Sequence, residues 1–199
     1  MYKTLKRWID IVASLSGIIL LSPILIFIAL WIKMDSKGPV LFTQKRIGIH
    51  KSTFPIYKFR TMRTDTPQDT PTHLLEDPMR FITKSGAFLR RSSLDELPQL
   101  FNILLGQMSV VGPRPALWNQ DDLIAERDKY GANDIRPGLT GWAQINGRDE
   151  LEIDVKAKLD GEYVEKMNLL LDAKIFVKTF FSALKSEGVK EGTGEKKEN

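Results

Sequence analysis

A long apolar segment near the start of the chain constrains the fold more than any other feature. Residues 11–32 are apolar or small throughout, apart from Ser14, Ser16 and Ser22. As a straight helix the segment would reach about 33 Å, which is enough to cross the hydrocarbon core of a bilayer. It is too long for the hydrophobic part of a secretory signal, and no small-residue cleavage site leads into a mature domain. We therefore predict a retained membrane segment.

Two details leave open whether this segment crosses the membrane. Pro23 lies at its centre, directly after Ser22. A proline inside a helix removes one backbone hydrogen bond and bends the helix, and a nearby serine hydroxyl can satisfy the freed carbonyl. Basic residues flank both ends of the segment: Lys3, Lys6, Arg7, Lys33 and Lys37. Positive charge normally marks only the cytoplasmic end, so a kinked spanning helix and a re-entrant helix are equally supported.

The rest of the sequence predicts a mainly α-helical domain with one small β-hairpin. Two β-rich runs, at 40–44 and 54–59, lie on either side of Gly48 and predict the hairpin. Apolar periodicity and turn signals predict helices at 81–89, 94–105, 121–130, 151–163 and 166–184. The chain then divides into three parts: a membrane helix at 1–34, a folded domain at 35–184 and a charged, disordered tail at 185–199.

Charge and residue content exclude several classes of function. The 29 Lys and Arg residues against 25 Asp and Glu give a net charge of +4, which suits anionic lipid or a phosphorylated substrate without indicating nucleic acid. The chain has no Cys and only two His, which excludes disulfides and thiolate metal sites. Any metal would therefore be a hard ion on oxygen ligands, such as Mg²⁺. The sequence also contains no P-loop and no G-x-G-x-x-G motif.

Two adjacent carboxylates, Asp95 and Glu96, stand at the predicted start of an apolar helix, just after Arg90 and Arg91. The exposed N–H groups at a helix N-terminus hold a carboxylate ionised and can also bind a phosphate. The stretch therefore offers a nucleophile or metal ligand beside an anion site. The simpler alternative is a helix cap with an acid in the first turn. Pro98 leaves the first residue of that helix undecided.

Basic residues next to turn residues recur along the chain and are candidate phosphate contacts. They are Lys58, Arg60, Arg114, Arg136 and Arg148. An arginine in a stiff loop presents a fixed fork that suits bidentate contact with phosphate. A surface salt bridge is the simpler explanation for any one of them, but their recurrence favours a phosphorylated ligand.

The last predicted helix has a broad apolar face with lysines at its margin and the adjacent aromatics Phe180 and Phe181. Core packing explains most of these residues, although a helix of this kind also suits a membrane interface.

Taken in order, the motifs of this sequence resemble those of the bacterial sugar transferases, the monotopic phosphoglycosyl transferases. The resemblance covers Lys6 to about Leu184, and the short length is similar to the minimal members, those of bacterial N-linked glycosylation. The motifs include Lys6-Arg7-Trp8-Ile9-Asp10, Ser22-Pro23, Lys58-Phe59-Arg60-Thr61-Met62, Leu94-Asp95-Glu96-Leu97-Pro98-Gln99, Gly112-Pro113-Arg114-Pro115 and Arg136-Pro137-Gly138-Leu139-Thr140-Gly141-Trp142.

The resemblance implies a topology and a location. Ser22-Pro23 would kink a re-entrant membrane helix, and amphipathic interfacial helices would hold a compact catalytic domain at the membrane. The protein would then lie on the cytoplasmic face of the bacterial inner membrane, with both termini in the cytoplasm.

The resemblance also implies a reaction, in which a UDP-sugar gives its sugar-1-phosphate to polyprenyl (undecaprenyl) phosphate and releases UMP. Asp95 is implied as the nucleophile of a covalent phosphosugar intermediate, and Glu96 as its support in metal or base chemistry. Mg²⁺ would be held by Asp95 or Glu96, with Arg114 and Arg148 neutralising further charge. The alternative is a membrane-tethered module that binds anionic lipid or a partner without catalysis. Nucleic acid is not an expected partner.

Overall fold

The computed structural model of the protein describes residues 2–66, 78–147 and 151–185. Its elements are, in chain order, α1 (Tyr2–Asp35), β1 (Leu41–Ile47), β2 (Thr53–Phe59), α2 (Lys84–Arg91), α3 (Gln99–Leu104), β3 (Ser109–Val111), α4 (Asp121–Asp128), β4 (Gly138–Thr140), α5 (Trp142–Ile145), α6 (Ile153–Lys166) and α7 (Leu169–Lys185). The mainly helical fold with a small hairpin is confirmed. Lys185 is still helical, and the rest of the predicted tail lies outside the described residues.

Helix α1 contains the whole predicted membrane segment and continues through Pro23. It is long and apolar enough to cross a membrane. The Ser22 hydroxyl donates to the Ile19 carbonyl at 2.8 Å, which is the carbonyl that Pro23 leaves without its usual N–H partner. The serine therefore satisfies the carbonyl in the way the sequence predicted, while the predicted kink stays a prediction.

One stripe of α1 packs against the domain, and the opposite face is exposed. Buried or half-buried residues recur every three or four positions: Asp10, Ser14, Gly17, Leu21, Leu25, Ile28 and Ile32. Gly17 admits Leu100 of α3, since a Cβ there would lie 3.2 Å from the leucine Cδ1. The exposed face carries large apolar side chains that include Val12, Ile19, Leu20, Phe27 and Leu30. A continuous apolar face of this length indicates contact with a membrane.

Polar side chains tie both ends of α1 to the same domain. Arg7 donates to two carbonyls at the end of α3, at 2.6 and 2.8 Å. The Asp10 carboxylate accepts the N–H of Val110 on β3 at 2.9 Å. At the other end of the helix, Asp35 accepts the N–H of Ser85 in the first turn of α2 at 2.9 Å. The membrane helix is therefore part of the folded domain.

The chain forms two small sheets, of which the sequence predicted one. Strands β1 and β2 pair antiparallel, from Leu41 opposite Phe59 to Ile47 opposite Thr53. Strands β3 and β4 form a parallel pair inside segments that we expected to be connectors. A Cβ on Gly138 would lie 2.1 Å from the Gly112 backbone nitrogen, so this close pairing requires a glycine.

The start of α7 is held against the start of α1. The Asp172 carboxylate accepts hydrogen bonds from Tyr2 at 2.6 Å, from Tyr163 of α6 at 2.7 Å and from Lys6. Beyond Asp172 only part of the predicted apolar face of α7 is covered. Ile175 is fully buried, whereas the large apolar side chains Phe176, Val177, Phe180 and Phe181 are exposed.

Candidate active site

The acid pair lies in a single 3-10 turn, Leu94–Glu96, between α2 and α3. Ser93 precedes it in the left-handed region, with φ 56° and ψ 15°, and reverses the chain after α2. Leu94 then packs against the core formed by α1, β2 and α2. Pro98, which has no N–H to offer a helix, stands immediately before α3. The predicted helix therefore begins at Gln99, after the acids.

Glu96 is the centre of a charged cluster drawn from three parts of the chain. Its Oε1 accepts Lys58 Nζ of β2 at 2.8 Å and Arg114 Nη2 of the loop after β3 at 2.9 Å. Burial alone would raise the pKa of Glu96. The attraction of Arg114 and Lys58 and their hydrogen bonds outweigh burial and hold the pKa well below its ordinary range. Glu96 is therefore ionised.

Asp95 lies beside this cluster and differs from its neighbour. Burial raises the pKa of Asp95 to about 6, and repulsion from Glu96 adds to that rise. The positive charges of Lys58, Arg90 and Arg114 oppose it. The hydrogen bonds of the described residues include none to the Asp95 carboxylate, and burial and neighbouring charges shift its pKa. At neutral pH this side chain is an ionised, poorly solvated carboxylate with free oxygen atoms, which is the state that a nucleophile or a metal ligand requires.

Arg114 is held in place by a buried ion pair. Arg127 of α4 donates to the Arg114 carbonyl at 3.0 Å. The same guanidinium contacts the Asp160 carboxylate of α6 at 2.8 Å through Nε and at 2.6 Å through Nη2. The Arg127 and Asp160 side chains are 5% and 1% exposed. This pair fixes the backbone of the loop that delivers Arg114 to Glu96.

Arg90 is a site residue that sequence reasoning missed. Its Nε donates to Thr61 Oγ1 at 2.9 Å and its Nη2 contacts Met62 Sδ at 3.0 Å, and its charge acts on Asp95. In the sequence, Arg90 stands five residues before Asp95, which was the available signal. The end of α2 and the chain reversal at Ser93 lie between the two residues, so sequence spacing alone did not indicate that they are close.

Two further predicted phosphate contacts, Arg60 and Arg136, lie away from the acid pair. Arg60 is 5% exposed and donates to the Ser36 and Lys37 carbonyls just after α1, so it holds the end of the membrane helix. Arg136 donates to the Gly106 carbonyl at 2.9 Å, beyond the far end of α3. Arg148 lies outside the described residues. Among the described residues, Lys58 and Arg114 are therefore the predicted basic residues that contact the acid pair. Phosphate binding by any of the five predicted residues stays a prediction.

The carboxylates of the site are compatible with a metal ion that is bound mainly by the phosphates of a substrate. Among the described residues, no group of three or more Asp, Glu or His side chains could hold a metal by itself. Mg²⁺ is commonly bound by one or two carboxylates together with the phosphates of a substrate. Asp95 fits such a role because its oxygen atoms are free, whereas Glu96 already shares one oxygen with two cations.

Comparison with known proteins identifies relatives along nearly the whole chain. The family model described as "Bacterial sugar transferase" matches residues 1–186. The uncharacterized sugar transferase EpsL of Bacillus subtilis is 40% identical over 94% of this chain and 91% of its own length. The exopolysaccharide production protein PSS of Rhizobium leguminosarum is 42% identical over 90% of this chain and 95% of its own.

A further relative is much longer than this chain. The UDP-glucose:undecaprenyl-phosphate glucose-1-phosphate transferase of Escherichia coli is 39% identical over 90% of this chain, and the chain spans 40% of that enzyme. With a family model that covers almost every residue, the chain belongs to the bacterial sugar transferase family and is a phosphoglycosyl transferase.

Proposed function

We propose that this protein transfers sugar-1-phosphate from a UDP-sugar to polyprenyl (undecaprenyl) phosphate, with Asp95 as the nucleophile. The products would be a polyprenyl-diphosphate-sugar and UMP. The observation that carries the proposal is the environment of the Asp95 carboxylate, which is acted on by the charges of Lys58, Arg90 and Arg114 and accepts none of the hydrogen bonds found among the described residues. The E. coli relative bears a name that specifies UDP-glucose and undecaprenyl phosphate, which supports this class of substrate.

The chemistry runs in two displacements at one phosphorus atom. In the first, an Asp95 oxygen forms a bond to the β-phosphorus of the UDP-sugar, the bond from that phosphorus to the bridging oxygen breaks, and UMP leaves with the bridging oxygen. In the second, a phosphate oxygen of the polyprenyl phosphate attacks the same phosphorus and releases the Asp95 carboxylate. A covalent intermediate lets one site serve a soluble substrate and a membrane-bound substrate in turn.

The cations around the acid pair reduce the repulsion between a carboxylate and a diphosphate. Lys58, Arg90 and Arg114 place positive charge beside Asp95, in a site where burial strengthens electrostatic interactions. Glu96 holds Lys58 and Arg114 in position through direct hydrogen bonds. In this proposal Glu96 acts only secondarily as a general base or a metal ligand. Mg²⁺ bound by Asp95 and the substrate phosphates would further neutralise the diphosphate.

The same proposal places the protein on one face of the membrane. Arg7 and Asp10 at one end of α1, and Asp35 at the other, contact one domain. A spanning α1 would carry α2 and β3 to opposite sides of the bilayer, although only residues 92–108 separate these two elements in the chain. A re-entrant helix that is bent at Pro23, with the domain and both chain ends in the cytoplasm at the bacterial inner membrane, avoids this conflict.

The intermediate is tested by the first half-reaction alone. Purified protein is incubated with a radiolabelled UDP-sugar and Mg²⁺ without the prenyl acceptor, and protein-bound phosphosugar is measured after denaturation. Wild-type protein and the control Asp121→Asn should be labelled, and Asp95→Asn should not. Labelling that persists in Asp95→Asn would remove the nucleophile from the mechanism, and a complete absence of UMP release would favour a lipid-binding or partner-binding module instead.

The sugar is tested by UMP release across a panel of UDP-sugars. The E. coli relative is named for glucose. The resemblance to minimal members of N-linked glycosylation favours a UDP-linked diacetamido sugar, and the panel separates the two.

The proposed topology has its own test, since the natural chain has no Cys. Single cysteines that replace Lys3 and Lys37 should both react with an impermeant thiol reagent from the same side of sealed vesicles.

A further inference from the structure

A cavity of about 470 Å³ opens between α5, α6 and the start of α7. Its lining includes Trp142, Glu162, Lys166, Asn168, Leu170 and Lys174. The volume lies in the range of sites that bind small ligands or headgroups. None of these residues takes part in the proposed transfer reaction.

The cavity is separate from the acid pair. On α6, Asp160 holds the Arg127 guanidinium and so supports the Arg114 loop. Glu162 lies two residues further on and accepts the Trp142 indole N–H at 3.3 Å, inside the cavity. Residues two apart on a helix point about 200° away from each other. The cavity therefore lies on the face of α6 opposite the one that supports the active site.

The cavity is electropositive. Lys174 Nζ lies 5.7 Å from the centre of the Trp142 ring, and Lys166 Nζ lies 3.9 Å from the Glu162 carboxylate. Two ammonium groups against one carboxylate leave a net positive charge. Together these groups favour an anion.

The cavity also lies beside the basic end of α1, which the proposed re-entrant topology puts at the membrane surface. Asp172, within the same turn of α7, accepts Tyr2 and Lys6 at the basic end of α1. Leu170 at the cavity is 82% exposed, and Val177 and Phe181 follow it at helical spacing with 51% and 57% exposure. An apolar strip therefore leads away from an electropositive cavity, which matches the chemistry of a phospholipid.

We propose that this cavity binds the headgroup phosphate of an anionic membrane phospholipid between Lys166 and Lys174, with the acyl chains along Leu170, Val177 and Phe181. A bound lipid would fix α7 to the bilayer at a second point, beside α1. The proposal does not depend on the identity of the sugar or of the nucleophile.

Quenching of Trp142 fluorescence by brominated lipids tests the site. Full-length protein in which Phe replaces Trp8, Trp31 and Trp118 is placed in phosphatidylcholine nanodiscs with increasing fractions of brominated phosphatidylglycerol or brominated phosphatidylcholine. Phosphatidylglycerol should quench Trp142 saturably, at a mole fraction at least about fivefold lower than phosphatidylcholine requires. Equal quenching by the two lipids would overturn the proposal, as would displacement of the lipid by millimolar inorganic phosphate.

Matched variants connect that preference to the cavity. The double variant Lys166→Gln and Lys174→Gln should weaken the preference for phosphatidylglycerol by about tenfold or more. Lys158→Gln removes the same charge from an exposed position on α6 and should leave the preference unchanged. Glu162→Gln removes the negative charge of the cavity and should strengthen the preference severalfold. This gain keeps the test decisive if the double variant fails to fold. A preference that no cavity variant changes would place the lipid elsewhere.

Discussion

The protein has two clusters in which acidic and basic side chains meet, and the two clusters differ in how they are built. Arg114 connects them. In the first, the Asp160 carboxylate meets the Arg127 guanidinium and both side chains are almost wholly buried, at 1% and 5% exposure. In the second, Asp95 and Glu96 lie together among Lys58, Arg90 and Arg114, and the ion-paired side chains of Glu96, Lys58 and Arg114 are 19%, 18% and 40% exposed.

The difference separates a structural ion pair from a reaction site. In the buried pair the two charges satisfy each other, and the pair serves to hold a backbone carbonyl. In the open cluster Lys58 and Arg114 donate to Glu96 and Arg90 donates to Thr61, whereas the hydrogen bonds of the described residues include none to Asp95. The pKa of Asp95 is raised because burial and repulsion from Glu96 outweigh the attraction of the cations.

Replacing the nucleophile should have the largest effect. In Asp95→Asn, UMP release should fall at least about 10³-fold, because the neighbouring carboxylate Glu96 is engaged by Lys58 and Arg114. The folded protein should at the same time gain about 1 kcal/mol at pH 7, because a buried charge of raised pKa is removed. UMP assays and thermal unfolding measure the two effects, with the exposed Asp121→Asn as control. Substantial residual turnover would assign the chemistry to another residue.

Breaking the buried pair should affect stability most. Asp160→Asn leaves the Arg127 charge buried without a counter-ion, and the free energy of unfolding should fall by about 3–5 kcal/mol. The double variant Arg127→Met with Asp160→Leu should recover much of that loss. Chemical unfolding in detergent provides the measurement. A loss no greater than that of Asp121→Asn would mean that the pair contributes little to the fold.

The pH dependence should reveal the unbalanced carboxylate. Labelling requires ionised Asp95, so its rate should rise with pH through about 6, reach a plateau above that, and fall about tenfold for each unit below it. The diphosphate of the UDP-sugar stays ionised across this range, so the midpoint belongs to the protein. For stability the sign is opposite, since a raised carboxyl pKa favours the folded state at low pH and loses that contribution as pH rises through about 6. A labelling rate that is flat between pH 5 and pH 8 would contradict this assignment.

Removing one cation should move that midpoint by a smaller amount. Lys58 makes the largest opposing contribution to the raised pKa of Asp95, so Lys58→Met should shift the midpoint upward by about one unit. The control is Lys51→Met, which removes an exposed lysine that pairs with Asp128 on the surface. A midpoint that moves equally in both variants, or downward in Lys58→Met, would show that the cluster does not set the acidity of Asp95.

Local patterns in the sequence were sufficient for much of the fold. Apolar runs and turn residues predicted α1, the hairpin and the helices α2, α3, α4, α6 and α7, although α3 begins at Gln99, five residues later than expected. The single turn of α5 was not predicted. They missed the β3–β4 pair, because three-residue strands among glycines and prolines carry no alternating pattern and depend on a partner distant in sequence. The site shows the same limit. Asp95, Glu96, Lys58 and Arg114 were named from the sequence, but the charge expected from a helix N-terminus comes instead from cations that only the folded chain assembles.

The polar ties at both ends of α1 determine how this protein can be made soluble. Deleting the first 35 residues would strand the Val110 N–H, uncover Leu89 and Leu100, and leave the carbonyl groups at the end of α3 without Arg7. Truncation would therefore yield an unfolded fragment. A water-soluble enzyme would have to keep the whole helix and exchange only its outward side chains, such as Leu20 and Phe27, for polar ones.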